Sequence, residues 1–362
     1  MDARAETGLY TAQGAAVALL RWYDAHARVL PWRAGPGANR AEPYRVWLSE
    51  VMLQQTTVAA VIPYFERFTI RWPTVEALAA APEEEVMAAW AGLGYYSRAR
   101  RLVECARVVA ARGGFPQDEA GLRALPGLGA YTAAAVAAIA FGQRAVVVDA
   151  NVERVVARLF AIGDALPGAR GAIRDAAETI TPEARCGDFA QAMMDLGATI
   201  CTAREARCLM CPLSGLCAAR AEGAPERYPV KPPKVAKPQR KGRAFWIERD
   251  GHVWLVRRAA KGMLGGMRAL PDDGWHARAD GAGPPPCAAP WREAGRVAHV
   301  FTHFALDLGV MVADIAALST AQQPAGEGEW WPLDRLEEAG LPTLFARAAR
   351  IARTAGFTRT DP

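Results

Sequence analysis

The sequence predicts two folded parts joined by a tether: an all-helical N-terminal part and a smaller α+β domain. Three observations carry this expectation. Through the first two-thirds of the chain, apolar residues recur at helical spacing and are punctuated by Gly and Pro. Residues 225–243 are rich in Pro, Lys and Arg and carry no apolar periodicity, the mark of an extended connector. Beyond them, short apolar runs flank Asp250-Gly251, a tight-hairpin signal. The expected boundaries are therefore 1–224, 225–243 and 244–362. With 362 residues, 51% hydrophobic and 22% charged, the chain can fill two cores and falls outside the disordered class.

Helices are predicted over 45–55, 58–68, 83–90, 97–111, 130–141 and 151–162, with a break at Thr56-Thr57. The β-branched run 145–148 is the one interruption of this helical pattern. In the last third, strands are predicted over 245–248, 253–256 and 300–312, and one or two closing helices over 333–354.

The net charge of +5 and a pI near 8.9 lean toward a polyanionic partner. No apolar run reaches bilayer length, and the opening MDARAETGLY carries acids where a secretory signal has a basic then apolar order. The expectation is a soluble, cytoplasmic protein with no membrane attachment. Seven cysteines are an odd count, and four of them, Cys201, Cys208, Cys211 and Cys217, crowd into a C-x6-C-x2-C-x5-C loop. In a reducing compartment that crowding points to a metal centre, and four thiolates suit either tetrahedral zinc or a 4Fe–4S cube. Four protein ligands leave no open coordination position, so the centre is expected to shape the loop rather than catalyse. Cys105, Cys186 and Cys287 stand apart from it.

Residues 125–133, LPGLGAYTA, form a Gly-x-Gly hairpin that opens a helix. Gly127 and Gly129 let backbone approach a ligand, and the helix N-terminus offers free N–H groups to a phosphate. An ordinary helix–helix turn has the same composition. Two carboxylates stand in different settings. Trp47, Glu50, Val51 and Gln54 follow i, i+3, i+4, i+7, so Glu50 shares a helix face with apolar residues, where desolvation raises its pKa. Asp149 precedes a helix starting near Asn151, and the macrodipole favours its anion. A partner for a buried Arg and a plain helix cap are the structural alternatives for the two. Taken as a pair they supply what glycoside cleavage needs, one protonated acid and one carboxylate.

In combination these motifs resemble the adenine DNA glycosylase family, within the endonuclease III-type helix–hairpin–helix superfamily, along nearly the whole chain. The cysteine spacing resembles that superfamily's cluster loop, which implies a 4Fe–4S cofactor. Leu30-Pro31-Trp32-Arg33 resembles the family's N-terminal motif, and residues 43–56 resemble its catalytic-Glu helix, with Gln54-Gln55 in the loop that enters the DNA stack. Gly92-Leu93-Gly94-Tyr95-Tyr96 matches the segment whose first Tyr wedges beside the damaged base. Asp149-Ala150-Asn151 departs from the usual Asp-Gly-Asn but keeps both polar residues. The bifunctional branch carries a Lys where this chain has Tyr131, which cannot form a Schiff base; the resemblance therefore implies monofunctional hydrolysis.

The C-terminal part resembles the MutT-like domain that reads 8-oxoguanine. Phe301-Thr302-His303 resembles its Phe-Ser-His loop, and residues 262–267 resemble a neighbouring glycine loop, whereas Arg268-Ala269-Leu270-Pro271 departs from the usual form. No run of Arg and Glu like the MutT pyrophosphatase box is present. The resemblance implies that Glu50 protonates adenine, that Asp149 stabilises or briefly traps the sugar cation, with Tyr131 and Asn151 beside them, and that the partner is duplex DNA carrying 8-oxoguanine:adenine or guanine:adenine mispairs, bound by a monomer at the nucleoid. Two alternatives remain: a pyrimidine glycosylase and lyase of the endonuclease III type, and a non-enzymatic, cluster-bearing damage sensor.

Overall fold

The computed structural model describes residues 3–233, 236–259, 262–314 and 324–355, with side chains from residue 14 onward except that of Asp314. Lys234 and Val235 of the expected connector lie outside the described residues. By contacts the chain divides into two compact units, residues 1–80 with 101–234, and residues 81–100 with 235–362.

The helices are α1 (Ala3–His26), α2 (Pro43–Leu53), α3 (Val58–Arg71), α4 (Val75–Ala80), α5 (Glu83–Trp90), α6 (Ser97–Arg112), α7 (Glu119–Arg123), α8 (Ala130–Phe141), α9 (Ala150–Leu159), α10 (Arg170–Ile180), α11 (Cys186–Thr199), α12 (Ala218–Ala221) and α13 (Thr343–Thr354). Their starts follow local chemistry. Pro43 opens α2 while the Glu42 carboxylate accepts from the Tyr44 and Arg45 N–H groups, and Thr57, Asp118 and Asp149 cap α3, α7 and α9. The Ala-rich α8 is buried from Thr132 to Ala140, so it is the central helix of the first unit. Its small side chains allow close packing: a Cβ on Gly187 of α11 would fall 2.6 Å from the Ala138 carbonyl oxygen. Gly142, at φ 67°, closes α8 in the left-handed region.

Several boundaries differ from expectation. The helix predicted over 58–68 runs on to Arg71, and the one predicted over 151–162 ends at Leu159, with Phe160 as its cap. Residues 145–148 form no strand, and among the described residues no strand pairs with them. Helices α1, α4, α7, α10, α11 and α12 lie outside the ranges that periodicity predicts.

In the second unit the strands are β1 (Gln239–Arg249), β2 (His252–Arg257), β3 (Arg268–Ala269), β4 (Arg292–Val300), β5 (Ala305–Asp314) and β6 (Gly328–Pro332). The sheet order is β3-β2-β1-β5-β4, with β6 also on β2. It is mixed: β1 and β5 run parallel and the other pairs antiparallel. Asp250 and Gly251 both take positive φ, 48° and 72°, as a right-twisted two-residue hairpin requires. The single strand predicted over 300–312 is corrected to two. Phe301 stacks on Phe304 with ring centroids 4.7 Å apart and its N–H donates to the Phe304 carbonyl, which turns the chain back between β4 and β5. Trp246, Trp275, Leu306, Val310 and Phe345 build the core between sheet and α13. The tether is shorter than composition suggests, because β1 begins at Gln239 and Val230 bridges Ala165. No described helix is long and apolar enough to cross a membrane.

Candidate active site

A cavity of about 910 Å³ opens in the first unit among α2, α8, the start of α9, α11 and residues 28–33. Glu50 of α2 lies in its wall, only 5% exposed. The Tyr131 hydroxyl, from the first turn of α8, donates to Glu50 Oε2 at 2.6 Å. Burial dominates the Glu50 environment and pushes its pKa up to about 7; Asp149 pushes the same way, while the Tyr131 hydrogen bond and the Arg33 guanidinium pull it down. Burial likewise holds the Tyr131 phenol neutral, well above its ordinary value.

Asp149 is both cap and cavity wall. Its Oδ1 accepts from the Val152 N–H at 2.7 Å, and its Oδ2 from Asn151 Nδ2 at 3.0 Å. Asn151 Oδ1 in turn accepts from Arg154 Nη2 at 2.9 Å, and Arg154 also donates to the carbonyls of Gly197 and Cys201. Ala150 is the first residue of α9 with no positive φ, so alanine is accommodated where the family pattern has glycine.

Glu50, Asp149, Tyr131 and Asn151 thus line one cavity, together with Trp32, Arg33, Gln54, Gln55, Gly127 and Gly129. Their settings differ. Trp32 is buried with its ring edge-on to Phe65, and Arg33 donates to Asp195, so both belong to the wall. Gln54 donates to Thr132 Oγ1 at 3.0 Å, whereas Gln55 is exposed and held at φ 56°. Of the two hairpin glycines, Gly127 takes the left-handed region at φ 79° and Gly129, at φ −82°, does not. Sequence reasoning missed Arg28, Gln191, Asp195 and Arg154. The signal available was a buried Asp within the apolar run of α11, a helix that was not read.

Cys201, Cys208, Cys211 and Cys217 gather after α11. Cys211 is pushed up to about 11, chiefly by burial, and the other three thiols add to the rise as close neighbours. The Leu213 N–H donates to Cys211, and the Arg220 and Ala219 N–H groups donate to Cys217. Buried Arg158 donates to Cys201 Sγ at 3.3 Å and to the carbonyls of Thr202, Ala203 and Tyr228. Among the described residues no group of three His, Cys, Asp or Glu side chains is set to hold a single metal ion.

In the second unit a cavity of about 630 Å³ is lined by Tyr95, His299, Phe301, Thr302, His303 and the loop 262–265. Tyr95 is 44% exposed at φ 50°, an uncommon conformation for a non-glycine residue. Thr302 and His303 are exposed at the tip of the β4–β5 turn, not within a strand.

A helical unit that brings a buried acid and a capped carboxylate to one cavity, together with a mixed-sheet unit, has the parts of a base excision DNA repair glycosylase of the helix–hairpin–helix class. Residues 48–182 match the HhH-GPD superfamily base excision DNA repair protein family, and residues 243–350 match the NUDIX domain. A thermostable thymine-DNA glycosylase of known structure superposes with a TM-score of 0.53 at 31% identity, covering 61% of this chain and 100% of that one. The adenine DNA glycosylase of Homo sapiens is 34% identical over 92% of this chain and 73% of its own length. That of Mycolicibacterium smegmatis is 45% identical over 58% of this chain and 70% of its own. The chain belongs to the adenine DNA glycosylase family.

Proposed function

We propose that this glycosylase hydrolyses the N-glycosidic bond of adenine mispaired with 8-oxoguanine or guanine, with Glu50 as general acid and Asp149 as the carboxylate that faces the sugar. The observation that carries the reading is the buried Tyr131–Glu50 pair in the same cavity as capped Asp149. Glu50 near pH 7 still holds a proton, and it passes that proton to N7 of the flipped adenine. The C1′–N9 bond then breaks, its electron pair leaving with the base. Asp149 stabilises the oxocarbenium ion or closes on C1′ for a moment, oriented by Asn151 and the Val152 N–H. Water adds hydroxyl to C1′ and its proton goes to the carboxylates. Among the described residues no lysine lines the cavity, which favours hydrolysis over a Schiff-base lyase step.

Gly127 and Gly129 would hold a backbone phosphate, Trp32 and Arg33 would wall the base pocket, and Gln54, Gln55 and Tyr95 would meet the opened stack. Left-handed Gln55 and Tyr95 support such a role, since strained residues cluster at ligand clamps. Thr302 and His303, exposed at a turn tip beside Phe301, would read the extra N7–H and O8 of 8-oxoguanine. The four cysteine thiolates would hold a 4Fe–4S cube; the backbone N–H donors and Arg158 around them suit thiolate sulfur. Bound by all four cysteines, such a group would close the loop and would supply no open coordination position.

A duplex panel with 8-oxoguanine:adenine, guanine:adenine and oxidised thymine tests the proposal. Adenine release from the first two, little borohydride-trapped adduct and no strand breaks without alkali are expected. Release of oxidised thymine with efficient trapping would move the chain to the lyase branch, and binding without release would make it a sensor.

A further inference from the structure

Asp195 is a fully buried carboxylate that no step above uses, its side chain 0% exposed on α11. Its Oδ1 accepts from Arg28 Nε at 2.7 Å, and its Oδ2 from the Arg28 backbone N–H at 3.0 Å and from Arg33 Nη1 at 2.8 Å. An unpaired charge at such a site is strongly destabilising, so the carboxylate fixes both guanidiniums. Both arginines line the cavity that holds Glu50, and the Arg33 side chain is only 7% exposed. Two cations therefore share one anion, and the wall keeps one surplus positive charge. Beside Asp188, which is already paired with Arg185, the other titratable group against this cluster is Tyr23. Burial pushes its phenol up to about 12, and among the described residues its buried hydroxyl has no hydrogen-bond partner, so it compensates nothing.

We propose that Asp195 is a positioning residue for base excision, clamping Arg28 and Arg33 so that the Arg33 charge bears on Glu50 from a fixed place. The inference rests on the assignment of Glu50 as general acid. The groups that face Glu50 are Tyr131 from α8, Asp149 from the start of α9 and Arg33 from the segment after α1. Neutralising Asp195 leaves the wall with two uncompensated cations and frees Arg33 to move toward the carboxylate. Both changes favour ionised Glu50, so the proton is lost at lower pH. Removing the Arg33 charge acts in the opposite sense.

The test is single-turnover adenine release from a guanine:adenine duplex between about pH 5 and 9, using the full chain with its cofactor. Wild type is expected to slow as Glu50 deprotonates near pH 7. Asp195→Asn should move that limb down by about half a unit or more and lower the plateau about tenfold. Asp195→Glu should keep the limb near its wild-type place, and Arg33→Gln should move it up. An unmoved limb in Asp195→Asn with a lowered melting temperature would make the carboxylate merely structural and overturn the proposal. If Asp195→Asn does not fold, an Arg33→Gln limb that fails to rise overturns it instead. A wild-type profile with no such limb would overturn the Glu50 assignment itself, an outcome distinct from the other two.

Discussion

Glu50 is the residue whose chemistry and stability pull in opposite directions. Its folded pKa of about 7 lies above the ordinary 4.5, so the folded protein binds this proton more tightly than the unfolded chain does. Its contribution to stability is intact below pH 4.5 and is lost as the pH rises through 7, a loss of up to about 3 kcal/mol. Glu50→Gln should accordingly melt several degrees above wild type at pH 8 while losing about 10²–10⁴ in adenine release. Calorimetry with equal melting points at pH 8 would contradict the buried-acid assignment. Tyr131 offers a second check. Its hydrogen bond favours the Glu50 carboxylate, so Tyr131→Phe should raise the Glu50 pKa and shift the alkaline limb of the rate profile upward. A limb that stays put would show that the phenol does not act on the acid.

The hairpin before α8 and the cysteine loop are the elements on which DNA and cofactor would be held. Gly127 needs the left-handed region, and a Cβ there would fall 2.8 Å from Arg101 Cβ; Gly129 needs neither, since a Cβ there meets nothing within 4 Å. Gly127→Ala should therefore cost about 1–2 kcal/mol of stability and weaken duplex binding. Gly129→Ala should leave the melting point unchanged. Equal effects in a melting and fluorescence-anisotropy pair would remove the backbone argument. For the loop, anaerobically purified protein should be brown with about four irons per chain. Stoichiometric zinc without iron would refute the cube. Sequence spacing brought out both elements because each is local. It could not reveal that Arg158, 43 residues before Cys201 and 70 before Tyr228, would reach the Cys201 sulfur and the Tyr228 carbonyl.

At the scale of the whole molecule, residues 81–100 fall in the same compact unit as residues 235–362. Within that unit a Cβ on Gly340 would lie 2.8 Å from the Ala88 Cα, and Arg100 Nη1 donates to the Gly265 carbonyl at 2.7 Å. A chain ending near Pro225 keeps Glu50, Asp149, the hairpin and all four loop cysteines, so it should still release adenine. It should lose about 1–3 kcal/mol of preference for 8-oxoguanine over guanine opposite the adenine. Amide hydrogen exchange over 81–100 should also speed up, because that segment loses its packing partners. Unchanged exchange would show that α5 and the Tyr95 segment stand without the sheet.

Periodicity and spacing by themselves determined what is local in this protein: the helical first part, Ala130–Phe141 with its hairpin, the Asp250-Gly251 turn, the four-cysteine loop, and Glu50 and Asp149 as carboxylates in contrasting surroundings. Each is encoded by neighbours in the chain, where residue type and spacing fix backbone shape. The tertiary structure alone decided which groups meet. Tyr131 and Glu50 are 81 residues apart, and Asp195 and Arg28 are 167 apart. Such pairs depend on how whole helices pack, and a one-dimensional pattern carries no distance between them. The same holds for the turn that splits β4 from β5, where stacking of Phe301 on Phe304 overrides a run of strand-forming residues.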